Sequence, residues 1–97
     1  MPVAIEMMFR GATIEQYDAI LEKMGLTPGG STPPGALFHW VAETDDGWHV
    51  VDVWESREAF DRFAQEQIGP FSAEVGIDGQ PEMTFYDIHT YLSARQA

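Results

Sequence analysis

Cysteine is missing from this chain of 97 residues. Disulfides, thiolate metal sites, iron–sulfur clusters and a cysteine nucleophile are thereby excluded, and a reducing cytoplasm is the expected location. Basic residues are scarce: Arg10, Lys23, Arg57, Arg62 and Arg95 stand against 16 acids, for a formal charge of −11. That charge repels phosphate backbones and anionic membranes, so neither nucleic acid nor a membrane surface is an expected partner. Long apolar runs are absent too, and none approaches the ~20 residues that a transmembrane helix needs. The segment MPVAIEMMFRG has no basic stretch ahead of its apolar residues and carries Glu6, so it reads as a first strand and not as a signal peptide. No glycine-rich phosphate fingerprint joins a strand to a helix, which leaves a nucleotide or flavin site without support.

Ample apolar residues are present. At 44% hydrophobic content, residues 1–97 are expected to form a single domain with one modest core. The 12% aromatic content is high for this length and points to a lined pocket or a subunit interface.

Val3, Ile5, Met7 and Phe9 recur at the two-residue period of a strand, predicted over 2–9. Thr13 and Gln16 form a capping-box pattern ahead of Ile14, Tyr17, Ile20, Leu21 and Met24, which follow at helical spacing until Gly25. TPGGSTPPG, residues 27–35, is a loop with two readings, a plain linker or a cover over a pocket mouth. Two strands, 37–44 and 48–54, flank Asp46-Gly47, a dipeptide suited to a two-residue hairpin turn. That turn pairs Val41 with Asp52 and His39 with Trp54; a three-residue turn, Asp45 to Gly47, pairs His39 with Val53 instead. Ser56 caps a second helix that Gly69-Pro70 is expected to break. A last strand is predicted over 84–92.

The order β-α-β-β-α-β with right-handed crossovers places both helices on one face of an antiparallel four-stranded sheet, in strand order 4-1-3-2. The fold class is therefore α+β, ferredoxin-like. Its uncovered face, expected to bear Val41, Val50, Trp54, Phe85 and Tyr91, calls for a partner. In this arrangement Trp40 belongs to the helix-packed core, while Trp48 and Trp54 lie on the other side.

Element order, length and a third strand VVDVWES running into REAF resemble the dimeric α+β barrel superfamily, especially antibiotic-biosynthesis-monooxygenase-like domains. The resemblance covers nearly the whole chain and implies a homodimer with face-to-face sheets and an internal pocket. Members of the superfamily include cofactor-free oxygenases of polycyclic aromatics, haem-degrading enzymes and polyketide cyclases. The implied activity is a cofactor-independent monooxygenase or cyclase acting on a small aromatic or polyketide-like molecule, with no bound cofactor. The alternatives are a non-catalytic ligand-binding or dimerisation domain, and a haem- or metal-binding barrel. The haem-degrading branch carries its axial histidine on a helix, and neither predicted helix here contains one.

Asp52 interrupts an apolar strand, and His39 shares its face from the neighbouring strand. Together they are the candidate catalytic base and its orienter. Trp54, Phe85 and Tyr91 are candidates to orient a ring system, with His89 and Glu6 as further polar groups of the pocket. No metal-ligand spacing is present. The competing assignment for each polar residue is an internal hydrogen-bond partner.

Overall fold

The computed structural model describes residues 1–92. Strand β1 (Val3–Arg10) leads to helix α1 (Ile14–Met24), the hairpin β2 (Ala36–Thr44) and β3 (Gly47–Trp54), helix α2 (Arg57–Phe63), a π-helical turn (Ala64–Ile68), helix α3 (Gly69–Glu74) and strand β4 (Glu82–Asp87). The sheet is antiparallel in the order β2-β3-β1-β4, the order expected from crossover handedness.

Local capping chemistry sets the starts of α1 and α2. The Thr13 hydroxyl accepts from the Gln16 N–H while the Gln16 side chain accepts from the Thr13 N–H, and Gly25 closes α1 in the left-handed conformation. The Ser56 hydroxyl accepts from the Ala59 N–H at the head of α2.

Gly69-Pro70 does not break the second helix, contrary to expectation. The Gly69 N–H reaches back five residues to the Ala64 carbonyl, and this π-helical turn lets the path continue into α3 although Pro70 has no N–H to give. The helical path continues to Glu74 and carries Phe63, Ile68 and Ser72 along one side of the interior. The last strand is shorter than predicted, ending at Asp87. Its partner β1 begins at Val3, which pairs with Asp87, and beyond it a single backbone bond, from the Ile88 N–H to the Pro2 carbonyl, closes the ladder. His89 and Tyr91 therefore lie outside the sheet.

The hairpin adopts neither expected register. Thr44 pairs with Gly47 across an Asp45-Asp46 turn, and His39 pairs with Asp52. Gly47 is a ladder residue bonded on both sides, to Thr44 and to Arg10, and a Cβ there would collide with the Phe9 carbonyl. Glycine is thus required for close backbone approach and not for the turn itself, which has no positive φ at Asp45 or Asp46. The turn is instead tied to the end of β1, by the Gly11 N–H to the Asp46 carbonyl at 2.6 Å and by Arg10 to the Asp46 carboxylate at 2.7 Å.

Relative to the preferred expectation the pairing moves by two residues, which preserves strand parity. His39, Asp52 and Trp54 consequently share a face as predicted, but it is the face that the helices cover. Trp48, Val50 and Trp54 join Val3, Ile5, Met7 and Phe9 in the core, while Trp40 is 40% exposed on the open face. The assignment of Trp40 to the helix-packed core and of Val41, Trp48, Val50, Trp54 and Phe85 to the open face is therefore reversed. Two large indoles and the apolar row of β1 bury more area together than Trp40, Val51 and Ala42 would, and Glu6 in β1 sits on the opposite side.

Candidate functional site

A cavity of about 300 Å³ lies between the sheet and the helices. Met7 and Phe9 of β1 and Val50 of β3 form part of its floor, Ile20 and Met24 of α1 one wall, and Phe63 and Ile68 the other. Residues of the loop from Leu26 to Pro33 also line it. The lining is mostly apolar, and the polar groups of the strands and α1 gather at one place.

Asp52 is at its centre. It is 4% exposed, and a buried carboxylate is tolerated only when its oxygens are bonded. Oδ2 accepts from the Trp54 indole N–H at 3.1 Å, and Oδ1 lies 2.5 Å from His39 Nδ1. The cross-strand pairing of His39 with Asp52 makes this contact direct, where the sequence suggested a diagonal one. His39 Nε2 lies 2.7 Å from the hydroxyl of Tyr17, which projects from α1. Burial, helped by the negative charges of Asp52 and Asp18, pushes the Tyr17 hydroxyl up to about 12 from its ordinary 10. It therefore stays protonated at neutral pH and, facing a neutral imidazole, donates to Nε2. That leaves the imidazole proton on Nδ1, pointing at the carboxylate.

The chain Trp54–Asp52–His39–Tyr17 has the form of a general base with its orienter: an acceptor-only carboxylate fixes the tautomer, and the distal imidazole nitrogen is the basic one. Three of the candidate residues, His39, Asp52 and Trp54, are brought together on the cavity wall. The others lie elsewhere. Phe85 packs edge-on against Phe60 under the Arg57 guanidinium, Tyr91 and His89 are exposed beyond β4, and Glu6 is on the open face. There Glu6 bonds His49 Nε2 at 3.1 Å and the Tyr86 hydroxyl at 3.3 Å.

Tyr17 is the site residue that sequence reading passed over, since it sits at helical spacing within an apolar stripe. Its hydroxyl among Ile14, Ile20, Leu21 and Met24 is the signal that marks it. Among the described residues, no three imidazole, carboxylate or thiol groups converge to hold a metal ion. No helix among them is long and apolar enough to cross a membrane.

No protein-family model matches the sequence, and no curated protein matches it. Solved structures do match. SnoaB, a cofactor-independent oxygenase from Streptomyces nogalater, is 14% identical over 96% of this chain and 97% of its own, with a TM-score of 0.61. A monooxygenase from the gene ActVA-Orf6 of Streptomyces coelicolor, solved with the ligand nanaomycin D, is 21% identical over 97% of this chain and 92% of its own, at 0.52. A conserved protein from Methanosarcina mazei Go1 is 8% identical over 89% of this chain and 91% of its own, at 0.62. Along essentially its whole length, then, this chain shares its ferredoxin-like α+β fold with these solved structures, two of which are oxygenases.

Proposed function

We propose that this protein is a cofactor-independent monooxygenase acting on a small aromatic, polyketide-like molecule, with the His39–Asp52 pair as its base. The observation that carries this reading is the Asp52-oriented imidazole on the wall of an apolar cavity. At about 300 Å³ the cavity is roughly twice the ~150 Å³ that accepts a benzene ring, which suits a fused ring system. The fold shared with two oxygenases supports the reaction class. Removing a proton from a phenol or an activated ring carbon yields an electron-rich anion able to reduce dioxygen. One oxygen atom then becomes the carbonyl of a ring CH₂, and the other leaves as water with its two hydrogens. Trp54, almost fully buried, serves by holding the Asp52 carboxylate through its indole N–H.

Dihydroxynaphthalenes, with nanaomycin D as a binding probe, supply the test. Saturable quenching of tryptophan fluorescence and oxygen uptake are expected from the native protein, with uptake lost in His39→Gln. Absence of binding across the set, or uptake that survives His39→Gln, would sink the assignment. Binding without oxygen uptake would favour the rival reading, a ligand carrier in which both ring nitrogens of His39 serve internal bonds.

The working form in this proposal is a homodimer joined through the open sheet face. Phe38, Trp40 and Tyr86 are 42%, 40% and 52% exposed there, an apolar group that calls for a cover. Of 16 acids, the strand positions of that face hold only Glu6 and Glu82. The first bonds His49 and Tyr86, and the second pairs with Arg10 at 2.6 Å. A second copy can therefore approach despite the net charge. Trp40→Glu is expected to convert a dimer to a monomer in sedimentation velocity; a native protein already monomeric at micromolar concentration would refute the interface.

A further inference from the structure

Both ring nitrogens of His39 are engaged, Nδ1 by Asp52 at 2.5 Å and Nε2 by the Tyr17 hydroxyl at 2.7 Å. Such a base can take a proton from a ligand in two ways. Either Tyr17 swings aside to expose Nε2, or the Tyr17 oxygen passes the proton on. Resting on the assignment of His39–Asp52 as the base, we infer that Tyr17 meets the acidic hydroxyl of the ligand and relays its proton to His39.

Two contacts hold the Tyr17 ring in place. Its hydroxyl is bonded to His39 Nε2, with the two rings 10° from parallel, and the ring meets Trp48 edge-on at 5.1 Å. Its backbone belongs to the capped helix α1. Swinging aside forfeits both contacts, whereas the relay keeps them. Tyr17 lines the cavity, and an oxygen that donates to Nε2 still has lone pairs to accept from a second hydroxyl.

The transfer balances. The O–H bond of the ligand breaks as a new O–H bond forms on Tyr17 Oη, while the original O–H bond of Tyr17 breaks and an N–H bond forms on His39 Nε2. The outcome is a ligand oxyanion, a neutral tyrosine and an imidazolium beside the Asp52 carboxylate, with no change in oxidation state. The resistance of Tyr17 to ionisation fits a group that passes a proton without resting as an anion. Among the described residues no lysine or arginine lines the cavity, so the imidazolium is the cation that balances the oxyanion. The ligand class is thus a neutral phenol or enol, and not a preformed dianion or a phosphate ester.

The probe is 4-nitrophenol, whose yellow colour reports its anion, at a pH below its own pKa and with occupancy measured by equilibrium dialysis. Bound to the native protein it is expected to turn yellow. In Tyr17→Phe, with the probe concentration raised until occupancy equals that of the native protein, the ionised fraction of bound probe should fall at least tenfold. An ionised fraction unchanged or raised in Tyr17→Phe would overturn the relay, because His39 would then meet the ligand directly, and the base assignment would stand. A colourless or unbound probe with the native protein, or yellow retained in His39→Gln, would defeat the base assignment and the relay with it. Nuclear Overhauser contacts in the native complex decide the matter independently of the variant. The protons beside the probe oxygen should lie against the Tyr17 ring; contact with His39 Hε1 in place of Tyr17 would overturn the relay.

Discussion

Asp52→Ala is expected to lower the turnover of a substrate activated by proton removal by about 10²- to 10⁴-fold, the range associated with a positioned base and its orienter. The loss has two sources. Without the carboxylate, nothing holds the imidazole proton on Nδ1, so Nε2 is no longer reliably the basic nitrogen. The imidazolium formed in the reaction also loses its counter-charge in a site where Asp52 is 4% exposed. Asp52→Asn separates these effects from packing. It preserves volume and leaves an amide oxygen for the Trp54 N–H, but its amide nitrogen would donate to Nδ1 and force the other tautomer. Steady-state kinetics with a dihydroxynaphthalene should show a fall of similar size in both variants, carried by kcat. Full activity in Asp52→Asn would show that neither charge nor tautomer matters, and the carboxylate would revert to a structural group.

The largest effect on stability is expected at Trp54. Its indole is 1% exposed and sits at tilted or edge-on angles to Phe60 and Phe63, with centroids 5.8 and 5.0 Å away. Gly35 closes over it so tightly that a Cβ there would lie 3.3 Å from the ring. Trp54→Ala removes that area, opens a cavity and strips Asp52 Oδ2 of its donor. Truncation of a buried aromatic costs about 3–5 kcal/mol against a total of about 5–15 kcal/mol for a domain. In thermal unfolding at fixed protein concentration, the midpoint should fall on the order of 20 °C. Trp54→Phe keeps most of the apolar volume and loses the N–H, so its smaller shift measures the hydrogen bond together with the residual gap. A midpoint unchanged in Trp54→Ala would mean that the ring contributes nothing to the core.

Residues that depend on local spacing were legible in the sequence. Thr13 with Gln16, and Ser56 with the helix after it, cap where they were expected to, because a cap involves only the next three residues. Grouping His39 with Asp52 and Trp54 needed only the two-residue period of strands, and it survived an error of two residues in the hairpin register. Tyr17 was hidden for the opposite reason. A tyrosine at apolar helical spacing looks like core, and its partner His39 is 22 residues away on an element whose approach to α1 no local pattern encodes.

By itself, then, the sequence determined the element order, the helix starts, the strand order that crossover handedness imposes, and which strand residues share a side. Only the tertiary structure decided which side of the sheet the helices cover, where β4 ends, how the hairpin pairs, and that Tyr17 completes the polar chain. All four depend on contacts between residues far apart in the chain, as Tyr17 and His39 are. Periodicity is unchanged when a sheet is turned over, so the covered face follows from apolar area summed over several strands. Strand ends and register depend on the backbone of β1, where Val3 limits β4 and the Phe9 carbonyl admits only glycine at position 47.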